Sequence, residues 1–445
     1  MTPADSTPAP TAPSAGTATG TAATGGGLSL TPFRARRYTD REHLADLLSP
    51  PYDVIDDAER AALVEGDPRN VVSLILPRTD DGSDPYAAAA ATLAAWAESP
   101  EGPVLALDDD PALYVYEMYS AHGTTRGVIG ALELRDPADG VVLPHEDVMA
   151  GPVADRLALM DATDANLEPI YLVYPGGGAT SSLVASVDEE GSSATALATV
   201  TTPDGVTHRL WAVTDPEAHA AVAADLAAHT AVIADGHHRY ATYRELQARR
   251  RAASGAGPWD RGLTLLVDTS VYGAQVEAIH RVLPDVSLAD AVQRLGQDPG
   301  DADDQAPELT VTPVADAAAA LEALTADPGG PTAVVLASAD GAVVVEGLRA
   351  PRGGLGSDLD VVAVHRDLIE RRLGLQDTVE TVRYAHDLDE ALALAATTRG
   401  VAVLLRPTPV EAVMDVARAG GRMPRKSTLF VPKPASGLLI RRFAD

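Results

Sequence analysis

The chain contains no cysteine. That excludes disulfides, thiolate metal sites and every thiol nucleophile at once. Aromatic residues are few, 4% of the total with only three Phe. No apolar run approaches the roughly 20 residues that span a bilayer. Nor does a basic stretch lead into an apolar one, as in a secretion signal. A soluble, cytoplasmic protein with no membrane partner is the expectation. Positive charge is also short: 34 basic residues face 64 acidic ones, a net charge of −30. Nucleic-acid binders need a basic footprint, because neutralising phosphate dominates their affinity. The balance therefore argues against a nucleic-acid partner and for a solvated, self-repelling surface.

Lysine is the scarcest basic residue. Only Lys426 and Lys433 are lysine, and every other cationic side chain of that class is arginine. So strong a bias reads as compositional drift, which draws attention to the two positions that stayed lysine. A compact ammonium and a planar guanidinium are not interchangeable where a single phosphate oxygen must be met. Chance clustering near the C-terminus is the plain alternative.

The 445 residues suggest about two or three domains. Residues 1–27, rich in Ala, Thr, Pro, Ser and Gly, are expected as a disordered tail. Residues 28–290 then form the main α+β region, 291–330 an acidic linker with flanking segments, and 331–445 a C-terminal α/β region. Strands alternate with helices and several hairpins, so the fold class expected is α+β with a mixed sheet core. Among the elements, Asn70 to Pro77 reads as a strand, Pro85 to Ala97 as a helix, and Leu113 to Leu134 as a hairpin turning at Ala121-His122-Gly123. Pro175 to about Ser193 reads as loop and polar linker. Leu359 to Leu373 reads as an amphipathic helix ended by Gly374.

Chemistry concentrates in Thr230 to Arg251. The apolar run Ala231 to Ala234 reads as a buried strand, Asp235-Gly236 as a turn, and the pattern from His237 onward as a helix. The first turn of a helix has amide N–H groups without intrahelical partners and a dipole that favours negative charge. His237, His238 and Arg239 add groups able to carry positive charge, so Asp235 to Arg239 makes a candidate phosphate or carboxylate site. Adjacent helical residues point about 100° apart, so one histidine can meet a ligand while the other packs. A plain cap by Asp235 with surface histidines is the alternative.

Two further constellations have the right chemistry. His145-Glu146 closes a strand; Glu146 can serve as a general base or join His145 on a metal, although no His-Glu-x-x-His spacing occurs. Lys426-Ser427-Thr428, with Lys433 beyond, offers charge, hydroxyls and amides without the glycine spacing of a Walker A loop. Tyr52 and Asp53 follow Pro50-Pro51, two prolines that hold an extended loop. They can contact a ligand or simply close a turn.

Taken as a set, these boxes resemble a bacterial and archaeal family of uncharacterised conserved proteins. The residues that carry the resemblance are Pro50 to Ile55, Pro144-His145-Glu146 with Asp155-Arg156-Leu157, Asp235 to Tyr240, and Met423-Pro424 with Lys426 to Thr428 and Pro432-Lys433. It spans about Leu30 to Phe443. One departure is Pro152-Val153, where the family tends to have Pro-Lys. The Asp-Gly-His-His-Arg-Tyr box also looks like the central box of the ParB/sulfiredoxin fold, whose members bind nucleotide phosphates at a strand–turn–helix. Sulfiredoxin chemistry needs a cysteine, and the ParB-like DNA clamps need a basic face; this chain has neither. The kinases of that fold need a phosphate cradle and a carboxylate. The resemblance therefore implies nucleotide-dependent phosphoryl transfer, by a kinase or phosphohydrolase, on a small metabolite. Asp235 to Arg239, Lys426 to Thr428 and Lys433 would hold phosphate, while Glu146, His238 and Asp53 would do the chemistry, with Mg²⁺ as companion. A nucleotide-binding regulator without turnover, or a ParB-like DNA partner, is the alternative.

Overall fold

The computed structural model describes residues 26–99, 102–297, 309–327, 329–349, 356, 359–378 and 380–445. Most of the 1–27 tail, and the centre of the acidic stretch before Leu309, lie outside them. The fold is α+β, organised on a nine-stranded mixed sheet. Its strands run in the spatial order Val142–Leu143, Ala231–Asp235, Ile170–Tyr174, Arg261–Asp268, Gly123–Glu133, Leu113–Ser120, Thr207–Val213, Ala194–Thr201, and Leu30–Thr31 adds to Gly123–Glu133.

The expected hairpin is present as Leu113–Ser120 paired with Gly123–Glu133. Tyr114 and Tyr116 are buried on it, as suits large side chains on a pleated surface packed on both faces. Gly130 leaves room for the short N-terminal strand: a Cβ there would stand 2.6 Å from Leu30 Cγ. On the sheet, the helices Ala150–Thr163 and His237–Ser254 pack against each other. Leu157, Leu159 and Met160 from one, and Tyr240, Tyr243 and Leu246 from the other, are buried. Burying such side chains is worth about 1.5–3 kcal/mol each, which is what fixes this helix pair on the sheet.

A second, six-stranded sheet takes its strands in the order Thr310–Val314, Gly341–Glu346, Ala333–Ser338, Val401–Leu404, His280–Leu283, Arg383–Ala385. It draws on chain from before, within and after residues 291–330. The end of the chain then makes two two-stranded pairs outside both large sheets. Leu429–Val431 pairs with Gln275–Glu277, and Arg441–Arg442 with Ala165–Asn166.

Three expectations need correction. Asn70 to Pro77 is not a strand: Val72–Ile75 is a short helix. The Asn70 side chain accepts from Val72 N at 2.9 Å and donates to the carbonyls of Asp46 and Leu48. Those bonds, one local and two to chain more than 20 positions earlier, outcompete a strand, and no described strand pairs with this stretch. Within Pro175 to Ser193, Ala179–Ser186 is a helix, with Thr180 N held at 2.9 Å by Asp225 and Val184 buried. Gly and Ser there mark the ends of an element rather than a linker. Finally, the Leu359 to Leu373 helix starts as an α-turn at Asp360–Ala363 and widens over Val364–Arg372 into i→i−5 bonding, with Leu373 N on Leu368 O at 2.9 Å. Widened turns of this kind are uncommon and disturb the simple helical stripe.

Candidate functional site

Strand direction brings the boxes together. Val142–Leu143 runs parallel to Ala231–Asp235, with Val142 opposite Ala231 and Leu143 opposite Val232. Both strands therefore release their next residues at the same edge. One delivers His145 and Glu146, the other Asp235, Gly236 and His237. Crevices outside the carboxyl ends of parallel strands are common ligand sites.

Gly236 makes the turn. Its φ of 89° lies in the left-handed region open to glycine, and a Cβ would approach Arg239 Nε to 3.1 Å. Gly236 is also the N-cap of the 18-residue helix, and no side chain caps it. The first-turn amides consequently stay available to an anion. His237 and Arg239 are buried, whereas His238 is half-buried.

The charge states differ from those of an exposed cationic cluster. Arg239 is committed: its guanidinium bonds the Asp235 carboxylate and the Pro169 carbonyl. Asp235 also holds Lys433. Burial pushes the Asp235 carboxyl up, but Lys433 and Arg239 beside it outweigh that and hold it well below the usual carboxylate range. His237 is held neutral by burial and by His145, with ring centroids 4.5 Å apart edge to face. Its Nε2 accepts from His145 N at 3.4 Å. Burial pushes His145 down to about 4, and its Nε2 meets Thr428 Oγ1 at 2.9 Å. His238 is lowered by burial too; its Nε2 accepts from Met149 N at 3.0 Å.

The C-terminal stretch completes the site. Met423 N donates to the His145 carbonyl at 2.8 Å, and Ser427 N to Glu146 Oε1 at 3.4 Å. Burial pushes Glu146 up to about 7, against the opposing pull of the Ser427 amide and Lys426. Lys426 itself is exposed and sits in a left-handed conformation, φ 53°. Lys433 Nζ lies 4.0 Å from Asp53, which projects from a single 3₁₀ turn, Tyr52–Val54, just after the extended Pro51. The structure thus gathers Asp53, Glu146, Asp235 to Arg239, Thr428 and Lys433 at one helix terminus. Ser427 reaches it through its amide, since its hydroxyl donates to the Pro424 carbonyl at 2.5 Å.

Sequence reasoning missed Glu168. It is buried, accepts from Tyr52 N at 3.0 Å and from Ser436 Oγ at 3.1 Å, and feels Arg239 and Arg156. It ties the Asp53 loop to the C-terminal return. An acidic residue within the apolar run Leu167 to Tyr174 was its only signal. Arg156, from the Asp155-Arg156-Leu157 box, stacks over Tyr52 at 4.2 Å and backs the same loop.

Two cavities open on this terminus. One, of about 520 Å³, has Lys433 in its wall; the other, of about 410 Å³, is lined by Glu146 and His237. Among the described residues, no group of three or more His, Asp or Glu side chains can hold a metal ion. No described helix is long and apolar enough to cross a membrane.

An α+β sheet protein with an uncapped helix terminus ringed by lysine and carboxylate is the class that fold and site define. Over residues 30–329 the chain matches the family described as "Protein of unknown function (DUF1015)", and it belongs to that family. No curated protein sequence matches it. Among solved structures it is similar to a free serine kinase in complex with AMP, at 16% identity and TM-score 0.31, covering 67% of this chain and 88% of that one. It is similar as well to a conserved hypothetical protein from Pyrococcus furiosus, at 16% identity and TM-score 0.33, covering 67% and 91%. A third is SbnI with a C-terminal truncation from Staphylococcus aureus, at 10% identity and TM-score 0.32, covering 70% and 87%.

Proposed function

We propose that this protein binds a nucleotide with its phosphates at the Gly236–His238 turn and transfers a phosphoryl group to or from a small metabolite. The observation that carries the reading is the uncapped first turn of the His237–Ser254 helix, with Lys433 bonded to the Asp235 that precedes it. The resemblance of the Asp235 to Tyr240 box to the central box of the ParB/sulfiredoxin fold favours the same assignment.

Free amides of the first turn, His238 and Lys426 meet phosphate oxygens. Thr428 and the Ser427 amide line the adjoining wall. Arg239 positions rather than binds: it locks Asp235, and Asp235 in turn orients Lys433. Phosphoryl transfer asks the protein mainly for positioning and charge stabilisation, which this arrangement provides. Glu146, balanced near neutrality, donates to a phosphate oxygen when protonated and repels it when ionised. Asp53, open to solvent beside Lys433, takes the proton of the accepting hydroxyl.

Mg²⁺ fits this site only as an ion carried by the nucleotide. It commonly takes one or two carboxylates and completes its shell with phosphate oxygens and water. Asp53 is the carboxylate placed to reach it. When bound, the ion neutralises phosphate charge.

A thermal-shift series with nucleoside mono-, di- and triphosphates, each with and without Mg²⁺, tests the reading. Binding to the folded chain raises Tm progressively with ligand concentration. Saturable stabilisation that His238→Ala removes is the expected result. Stabilisation without any product on long incubation would instead select the regulator reading.

A further inference from the structure

We propose that the 520 Å³ cavity beside Lys433 is the acceptor site, built for a hydroxylated organic amine with an apolar body. This inference rests on the phosphoryl-transfer reading and adds the class of acceptor.

The cavity wall is mixed in character. Lys433, largely buried, is part of its wall, with Asp235 bonded to the same ammonium and Asp53 4.0 Å away. Apolar residues make its middle, among them Leu48, Pro51, Val54 and Leu63. Asp46, Glu59 and Asp204 line it as well, and all three are exposed. His208, the remaining titratable group in the wall, is buried, bonded to Tyr116 at 2.7 Å and to Thr202 at 3.0 Å, and burial lowers it to about 4. It adds no positive charge near neutrality. Three carboxylates thus face one ammonium that Asp235 already pairs.

Such a surface repels a polyphosphate and attracts a cation. The cavity across the site is less acidic: Arg244 and Arg422, paired with Asp136 and Asp147, line it alongside Glu146, Asp147 and Glu245. The Lys433 cavity has the fewer cations of the two and reaches the lysine that stands 4.0 Å from Asp53, so it takes the acceptor and leaves the other for the nucleoside. The amine meets the exposed carboxylates, the carbon body covers Leu48, Val54 and Leu63, and a hydroxyl reaches Lys433 and Asp53. In the transfer step the acceptor oxygen forms a bond to the terminal phosphorus of a nucleoside polyphosphate. The bond from that phosphorus to the bridging oxygen breaks, the shortened nucleotide leaves with the electron pair, and the hydroxyl proton passes to Asp53.

The test uses a panel of straight-chain and aryl amino alcohols, with hydroxy acids and diols of matched size. Thermal shift is first read without nucleotide, so the outcome does not depend on whether phosphoryl transfer occurs. Amino alcohols are expected to stabilise the protein and matched hydroxy acids are not. Leu63→Trp, which fills the cavity without touching the helix terminus, should abolish that shift and leave stabilisation by nucleotide unchanged. The combined Asp46→Asn, Glu59→Gln and Asp204→Asn variant should lose roughly tenfold in amine affinity while diol binding stays the same. Equal or better binding of hydroxy acids, no stabilisation by any amine at millimolar concentration, or an unaltered response in Leu63→Trp overturns the acceptor assignment. Amine binding in a protein that never responds to nucleotide would overturn the phosphoryl-transfer reading instead.

Discussion

The ammonium of Lys433 rests on the carboxylate of Asp235, 198 positions earlier in the chain. This contact joins the C-terminal return to the turn that starts the His237–Ser254 helix. Asp235 keeps Arg239 as a second partner, so losing the lysine weakens the pairing without stranding the carboxylate. Lys433→Met should lower stability by about 1–3 kcal/mol in a urea titration. Lys433→Arg should recover only part of that stability, because a planar fork does not replace a point charge.

Glu146 makes stability depend on pH. Its value in the folded chain, about 7, lies above the ordinary 4.5, so the folded state holds the extra proton between those values. Stability is then full below about pH 4.5 and falls as pH rises towards 7, where it levels off. Nucleotide affinity should weaken over the upper part of the same window, as a negative charge appears beside the phosphates. Glu146→Gln should flatten both profiles, measured by chemical denaturation and by titration across pH.

At Gly236 the backbone itself is the functional element. With φ at 89° and Arg239 Nε 3.1 Å from any added Cβ, Gly236→Ala strains the turn and pushes on the guanidinium. A left-handed residue with a side chain costs roughly 1–2 kcal/mol. The expected outcome is a loss of that size in stability, with a larger loss of nucleotide binding as the first-turn amides move.

Arg281 supports the site from the second sheet. It is buried, donates to the Lys426 carbonyl at 2.9 Å, and meets His365 Nε2 at 3.1 Å. His365 lies 3.8 Å from Asp377, which accepts from Tyr384 at 3.0 Å. This chain of contacts holds Lys426 in its left-handed conformation. Arg281→Met and Lys426→Ala should each weaken nucleotide binding. If Arg281 acts through Lys426, the double variant should be no weaker than the worse single by more than about 0.5 kcal/mol.

Much of this site could be read from residue order, for physical reasons. The strand–turn–helix at Ala231 to Arg251 has a short apolar run, a glycine turn and a long polar helix, each visible locally. Lys426 and Lys433 stood out only because the rest of the basic residues are arginine. What stayed hidden depends on long-range contact. Glu168 works through the Tyr52 amide, 116 positions away, and no local pattern announces such a bond. The neutral state of His237 arises from burial, and then from His145 packed on it across 92 positions. The Val71 to Leu76 stretch has the composition of a strand, but Asn70 Oδ1 accepts from the Val72 amide and no described strand pairs with it. The Lys433 cavity combines chain near Leu48, Leu63, His208 and Ala435, so its charge pattern exists only once the fold has formed.

The most direct measurement is calorimetric titration of the full chain with a Mg²⁺–nucleoside triphosphate, followed by chromatography of the nucleotide products. The account predicts saturable binding and formation of the shortened nucleotide in the wild type. It predicts loss of turnover in His238→Ala and Arg239→Ala variants that keep the wild-type circular dichroism. Nucleotide consumption unchanged in those folded variants, or no binding by the wild type, would contradict it.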